Sequence, residues 1–254
     1  MSALHALLAR DPSDKATLCK ALDPTAGLDV AQIIPIPGDA PGRPLRPVLL
    51  QANAIQLPSL RTPEGKAALI HSIVHIELNA IDLALDAVVR FPDMPDAFYR
   101  DWVRIAQEEA LHFDLLQAHL RTYGFEYGDF PAHNGLWDMA ERTRGDILAR
   151  IALVPRTLEA RGLDASPQVR KKLIGAGDMA AGPILDRILH DEIGHVAAGN
   201  YWYRWLCEKR QLDPIGTYAE LVARYRPPKL RAPFNLDARR LAGFDEVELQ
   251  ALIA

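Results

Sequence analysis

The stretch Leu185 to Tyr203, LDRILHDEIGHVAAGNYWY, decides the fold. Read as the middle of a long helix, it places Glu192 and His195 three residues apart on one face. Around Glu192, the offsets −7, −4, −3, +4 and +7 hold Leu185, Ile188, Leu189, Val196 and Gly199. The carboxylate and the imidazole therefore interrupt an apolar stripe. Burying a carboxylate there without compensation costs several kcal/mol or forces its protonation, so the stripe demands a partner for it.

The pattern occurs twice. In RDWVRIAQEEALHFDLLQAHL, Glu109 and His112 repeat the spacing, and the same offsets from Glu109 hold Trp102, Ile105, Ala106, Phe113 and Leu116. Upstream of each copy a single Glu stands in a comparable setting. Glu77 in ALIHSIVHIELNAIDLALDAVV is flanked by Ile70, Ile73, Val74, Ile81 and Ala84, and Glu159 in ILARIALVPRTLEARG shares its side with Leu148, Ile151 and Ala152. Glu77 precedes Glu109 by 32 residues and Glu159 precedes Glu192 by 33. Two helical hairpins are thus related by a pseudo-repeat, each offering one Glu and one Glu-x-x-His. That is the inward-facing ligand set of a dinuclear carboxylate site in a four-helix bundle.

Carried by Glu77, Glu109-x-x-His112, Glu159 and Glu192-x-x-His195, the chain resembles the ferritin-like superfamily over about residues 63–210. The wording of HIELNAIDLALD and LHDEIGHVAAGNYWYRWL is similar to an uncharacterised bacterial ferritin-like family, a domain of unknown function. The resemblance implies an all-α fold, an antiparallel four-helix bundle (63–210); the sequence adds two short N-terminal helices and a proline-rich strap packed on the bundle (1–62) and a C-terminal extension of short helices (211–254), together forming one elaborated domain.

Four ionised Glu carry four negative charges, so two divalent cations leave the cluster near neutral. Carboxylate and imidazole ligands without thiolate suit iron first and manganese second, with zinc able to occupy the site in a purified sample. Glu108 and Asp191, each directly before a ligating Glu, are candidates to accept the second ring N–H of a ligating His. His71 and His75 lie roughly 120° and 160° around the helix from Glu77 and face away from the centre, with Asp82 and Asp86. Trp102 and Tyr203 fall on ligand stripes, where large aromatics mostly fill the core.

At 254 residues the chain can bury a sizeable core. A net charge of −4 and a pI near 6.1 give no global attraction to nucleic acid or anionic membrane. The run Arg224, Arg226, Lys229, Arg231, with Tyr225 interleaved, has the chemistry to grip phosphate or RNA, but such a run is more often a solvated surface or a strap pairing with acids. Cys19 and Cys207 are isolated, which fits a reducing cytosol. The N-terminal apolar run is too short for a signal peptide, and no window approaches 18 uncharged apolar residues, so a cytoplasmic protein without membrane partner is expected.

The pattern predicts helices over about 63–90 and 96–122, then a third over about 137–161, ending at Gly162 and kinked at Pro155. On that reading Glu159 sits in a last turn while Glu192 lies deep in its helix, and their depths match only if the segment from Ser166 continues the column. Residues 34–63 hold seven prolines. They read as a strap whose apolar residues, Ile33, Ile34, Ile36, Val48, Leu49, Leu50, Ile55 and Leu57, need cover.

Function follows the metal pair. The leading expectation is an oxidoreductase that activates dioxygen or peroxide to oxidise a small organic substrate, with electrons from an external donor. Ferroxidase or iron storage is the alternative that the ferritin-like resemblance alone suggests, and a tRNA-modifying di-iron hydroxylase is a third. The extensions, by covering the bundle's outer faces, predict a monomer or small oligomer.

Overall fold

Short N-terminal helices come first because two side chains cap them. Ser2 Oγ accepts from the His5 N–H at the start of α1 (Ala3–Leu8). The Asp11 carboxylate accepts from Ser13 and Asp14 at the start of α2 (Pro12–Lys20). The computed structural model describes residues 2–25 and 34–253; Ile33 of the strap lies outside them. The fold is all-helical, as expected, and divides into two units, Met1–Trp137 and Asp138–Ala254.

In the first unit, Thr62 caps α3 (Pro63–Arg90), with Pro63 at its first position and Glu64 in its first turn. Gly65 must be glycine, since a Cβ there would meet the Ser59 carbonyl oxygen at 2.0 Å. The five-residue link to α4 (Asp96–Arg121) is pinned by Tyr99, whose hydroxyl donates to the Phe91 carbonyl (2.8 Å) and accepts from the Met94 N–H (3.2 Å). The two helices form a hairpin and bury the stripes read from the sequence, Ile70, Val74 and Ile81 against Trp102, Ile105, Phe113 and Leu116. Each such side chain contributes roughly 1.5–3 kcal/mol.

By length and composition α3 is apolar enough to cross a membrane, with an 18-residue window of mean hydropathy 1.4, although, as expected, no 18-residue stretch of it is free of charge. In the fold 78% of that window is buried, as in the core helix of a globular unit. Its outer face is tied down by polar contacts. Lys15, 1% exposed, donates to the carbonyls of Leu7 and Gly42 (3.0 Å each) and pairs with Asp82; Asp86 pairs with Arg90.

The strap departs from expectation. Its backbone is held, with Leu50 N–H donating to Ala132 and Ala132 N–H to Val48 (2.8 and 3.0 Å). Its apolar side chains are not covered, however. Val48, Leu49, Leu50 and Leu57 are exposed, while Ile34, Ile36 and Ile55 are half-buried. The physical reason is extended backbone: prolines hold the chain in a path that leaves these side chains in water. What holds the N-terminal region is the Lys15 anchor and the buried Ala6, Leu7, Ala16 and Cys19.

After α5 (Gly135–Arg142), the second unit corrects the expected third helix at both ends. The chain breaks at Thr143–Asp146, and Asp146 caps a new helix, α6 (Ile147–Leu153), through the N–H groups of Leu148 and Ala149. A π turn, Val154–Glu159, follows at the expected Pro155 irregularity and leads directly into α7 (Ala160–Gly175), so the column does not stop at Gly162. Pro155 cannot donate to a carbonyl four residues back, and the column widens instead of breaking. Thr157 Oγ1 donates to Ala152 five residues behind (2.7 Å). Pro167, inside α7, likewise leaves the Leu163 carbonyl without its helical donor, and Asn235 Nδ2 supplies one (3.2 Å).

Helix α8 (Ala181–Lys209) packs against this column, and α9 (Pro214–Tyr225), α10 (Leu236–Leu241) and α11 (Glu246–Ile253) complete the unit. Ala160 and Leu163 of α7, Val196 of α8, and Ala238 and Ala242 form one core cluster. Arg239, buried on α10, holds Asp164 with two nitrogens (3.0 and 2.6 Å).

Candidate metal centre

In the first unit, α3 and α4 bring together Glu77, Glu109 and His112. They are 3%, 1% and 0% exposed, and each offers a ligand atom within 4.8 Å of the others. His112 Nδ1 lies 3.3 Å from Glu77 Oε2 and 3.3 Å from Glu109 Oε2. Helix periodicity makes the arrangement: Glu109 and His112 share a face of α4, and Glu77 faces them from α3.

Electrostatics show what the cluster lacks. Burial and the neighbouring Glu109 charge push Glu77 well above the usual carboxylate range. Burial alone would lower His112, but hydrogen bonds and charge from Glu109 and Glu77 outweigh it and raise it to about 11. Without an added cation this cluster recruits protons. Two carboxylates and an imidazole converging in a dry site are a donor set that a divalent cation satisfies.

The second unit repeats the Glu-x-x-His geometry. Glu192 is 8% and His195 0% exposed, with His195 Nδ1 3.7 Å from Glu192 Oε1. Glu159 is half-buried at the end of the π turn. Gly162, three residues further on, faces Glu192, since a Cβ there would lie 3.9 Å from Glu192 Oε2.

Glu108 pairs with Arg104 (3.0 Å) and Asp191 with Arg187, both one turn apart along their helices. Trp102 packs edge-on to Phe98, and the Tyr203 hydroxyl donates to the Pro214 carbonyl (2.6 Å). Arg224, Arg226, Lys229 and Arg231 are exposed.

His71 and His75 point away from the cluster, and they hold the crossing segment 122–134. His71 Nε2 accepts from the Gly128 N–H (2.9 Å), and His75 bonds Tyr127 Oη (2.8 Å) and the His133 carbonyl (2.9 Å). Burial lowers both to about 4. Their unfolded value is 6.5, so the unfolded chain binds more protons between the two. Stability is therefore full above pH 6.5 and falls as pH drops towards 4, by at most about 3 kcal/mol for each His. Replacing His71 with Gln, which keeps an acceptor for Gly128, should flatten the urea-midpoint profile over that window; an unchanged slope would exclude His71 as a source.

Two contributors escaped the sequence reading, Lys15 and Arg156. Arg156 is a cation embedded in the apolar run IALVPRTLEA, and that misplacement of charge was an available signal; Lys15, among Asp11, Ser13, Asp14 and Thr17, carried none.

Comparison with known proteins agrees with a shared family. The family model described as "Protein of unknown function (DUF455)" matches residues 8–250. A Haemophilus influenzae protein described as "Uncharacterized protein" is 49% identical over 81% of this chain and 74% of its own length. No solved structure matches. With nearly the whole chain matched, from the end of α1 into α11, this protein belongs to the DUF455 family.

Proposed function

We propose that this chain is a dinuclear-metal protein in which the two Glu-x-x-His hairpins, with Glu77 and Glu159, meet as a ferritin-like four-helix bundle around one centre. The observation that carries this reading is the buried convergence of Glu77, Glu109 and His112. The pseudo-repeat extends it to Glu192, His195 and Glu159, and the continuation of the column past Gly162 to Gly175 supports including Glu159. Iron is the expected metal and manganese the second choice. Bound there, the pair would supply redox chemistry toward dioxygen or peroxide for the oxidation of a small organic substrate, with electrons from an external donor. The residues would fix the ions, neutralise them and exclude water.

Elemental analysis tests this directly. The iron- or manganese-loaded protein should hold two ions per chain, and Glu192→Ala or His195→Ala should remove at least one while leaving the helical circular dichroism intact. Two ions retained in both variants would sink the ligand assignment, and iron-loaded protein with no absorbance change under oxygen or peroxide would sink the oxidoreductase reading.

Proton release gives a second handle. With His112 raised to about 11 in the metal-free chain, a cation bound through its ring nitrogen at pH 7 must expel a proton. Titration with zinc in weak buffer containing an indicator dye should release at least one proton, and affinity should rise about tenfold per pH unit between 6 and 8. Binding without proton release would place the ion elsewhere.

A further inference from the structure

Arg156 is 3% exposed, and its guanidinium lies among three rings, 4.8 Å from Tyr203, 4.5 Å from Tyr218 and 5.1 Å from Phe244. It pairs with Glu248 of α11. That carboxylate is itself held by Arg204 of α8 (3.0 Å). A buried cation demands such a partner, since removing it leaves an uncompensated charge in a dry site. Arg156 stands inside the π turn, three residues before Glu159.

Neighbouring contacts fix the same turn. Thr157 Oγ1 hydrogen-bonds Tyr218 Oη of α9 (2.9 Å) while donating to Ala152. Pro155 approaches Gly199 of α8 so closely that a Cβ at Gly199 would lie 3.0 Å from Pro155 Cβ. Three consecutive residues of the turn are thus gripped by α8, α9 and α11. The two residues after them, Leu158 and Glu159, inherit their direction.

We propose that the Arg156–Glu248 pair is a positioning device by which the C-terminal helices set the π turn and so aim Glu159 at the metal; the inference rests on the dinuclear reading above. Wide π turns are uncommon and less regularly bonded than α-helix, so a turn without this grip is free to revert to ordinary helical register. Reversion rotates Glu159 by about one residue, roughly 100°, away from its station. Arg156 and Glu248 touch no metal on this account; they act through Glu159.

The test is a cobalt(II) titration of the full-length, metal-stripped protein, following the visible d–d bands that report each ion's coordination, with circular dichroism on the same samples. Wild type should bind two ions. In Glu248→Gln the affinity for one ion should fall at least tenfold and its band should shift, with the other ion unaffected. Glu248→Asp, which keeps the charge, should recover part of the loss. Where Glu248→Gln fails to fold, Tyr218→Phe, which deletes only the hydroxyl held by Thr157, should weaken the same ion in smaller measure. Both ions binding as in wild type in the folded variants, or both weakened equally, would overturn the positioning role. A wild type that binds no cobalt would instead overturn the dinuclear reading beneath it.

Discussion

Glu77→Gln should make the metal-free protein more stable and leave the first unit unable to hold metal. Glu77 has a raised pKa in the fold, from burial first and the Glu109 charge second. A group raised on folding contributes stability that is present below its unfolded value, 4.5, and lost as pH rises through the folded value. Above pH 4.5 the native carboxylate is thus an increasing liability, which Gln removes while keeping an oxygen to accept from His112. Glu109 remains 3.3 Å away to pair the imidazolium. Removing the desolvated carboxylate that Glu109 repels relieves that liability, worth about 1.4 kcal/mol for each unit by which folding raises its pKa. Chemical denaturation in chelator at pH 8 should show that gain, shrinking towards pH 4.5, while metal analysis shows the loss. A variant destabilised by more than about 1 kcal/mol would contradict the account.

The opposite effect is expected at Lys15. Its ammonium uses all three protons, two on carbonyls and one on Asp82, at 1% exposure. Lys15→Ala strands the Asp82 carboxylate and two carbonyls, and breaking a buried pair from one side costs roughly 3–5 kcal/mol. Lys15→Met with Asp82→Leu should recover most of that, because the desolvated charges leave together. Urea unfolding of the three proteins decides it: a single variant within about 1 kcal/mol of wild type would mean the pair is solvated in solution. Hydrogen exchange should place the loss in α1, α2 and the outer face of α3.

The helices with strong caps and uninterrupted stripes were legible from sequence. Thr62-Pro63-Glu64 and the apolar positions around Glu77 and Glu109 predicted α3 and α4 to within a residue, and the phase of α3 sent His71 and His75 to the far side. The column from Ile147 to Gly175 was not legible, for a local reason. Pro155 and Gly162 are breakers by propensity, and what overrides them is supplied from distant residues: Tyr218 beside Thr157, Gly199 beneath Pro155, Asn235 at the Leu163 carbonyl. The strap misled in the other direction. Its apolar content suggested cover, yet prolines rather than burial set its course, and Val48, Leu49, Leu50 and Leu57 stay exposed. The Glu and His cluster was legible because expensive residues recur at one spacing on apolar faces.

The two-sided commitment of α3 bears on how the gene can change length. His75, Asn79 and Asp82 are fastened to the crossing segment, the strap and Lys15 on one side, while Glu77 meets His112 on the other. A single codon inserted or deleted between His75 and Asp82 would turn one set by about 100° against the other and unfasten whichever gives way first. No such phase constrains residues 45–60, where the chain forms a single short 3-10 turn at Ala52–Ala54 and the side chains are largely in water. Drift in length is therefore expected to accumulate in the strap and to be purged from the middle of α3, however freely individual apolar letters are exchanged there.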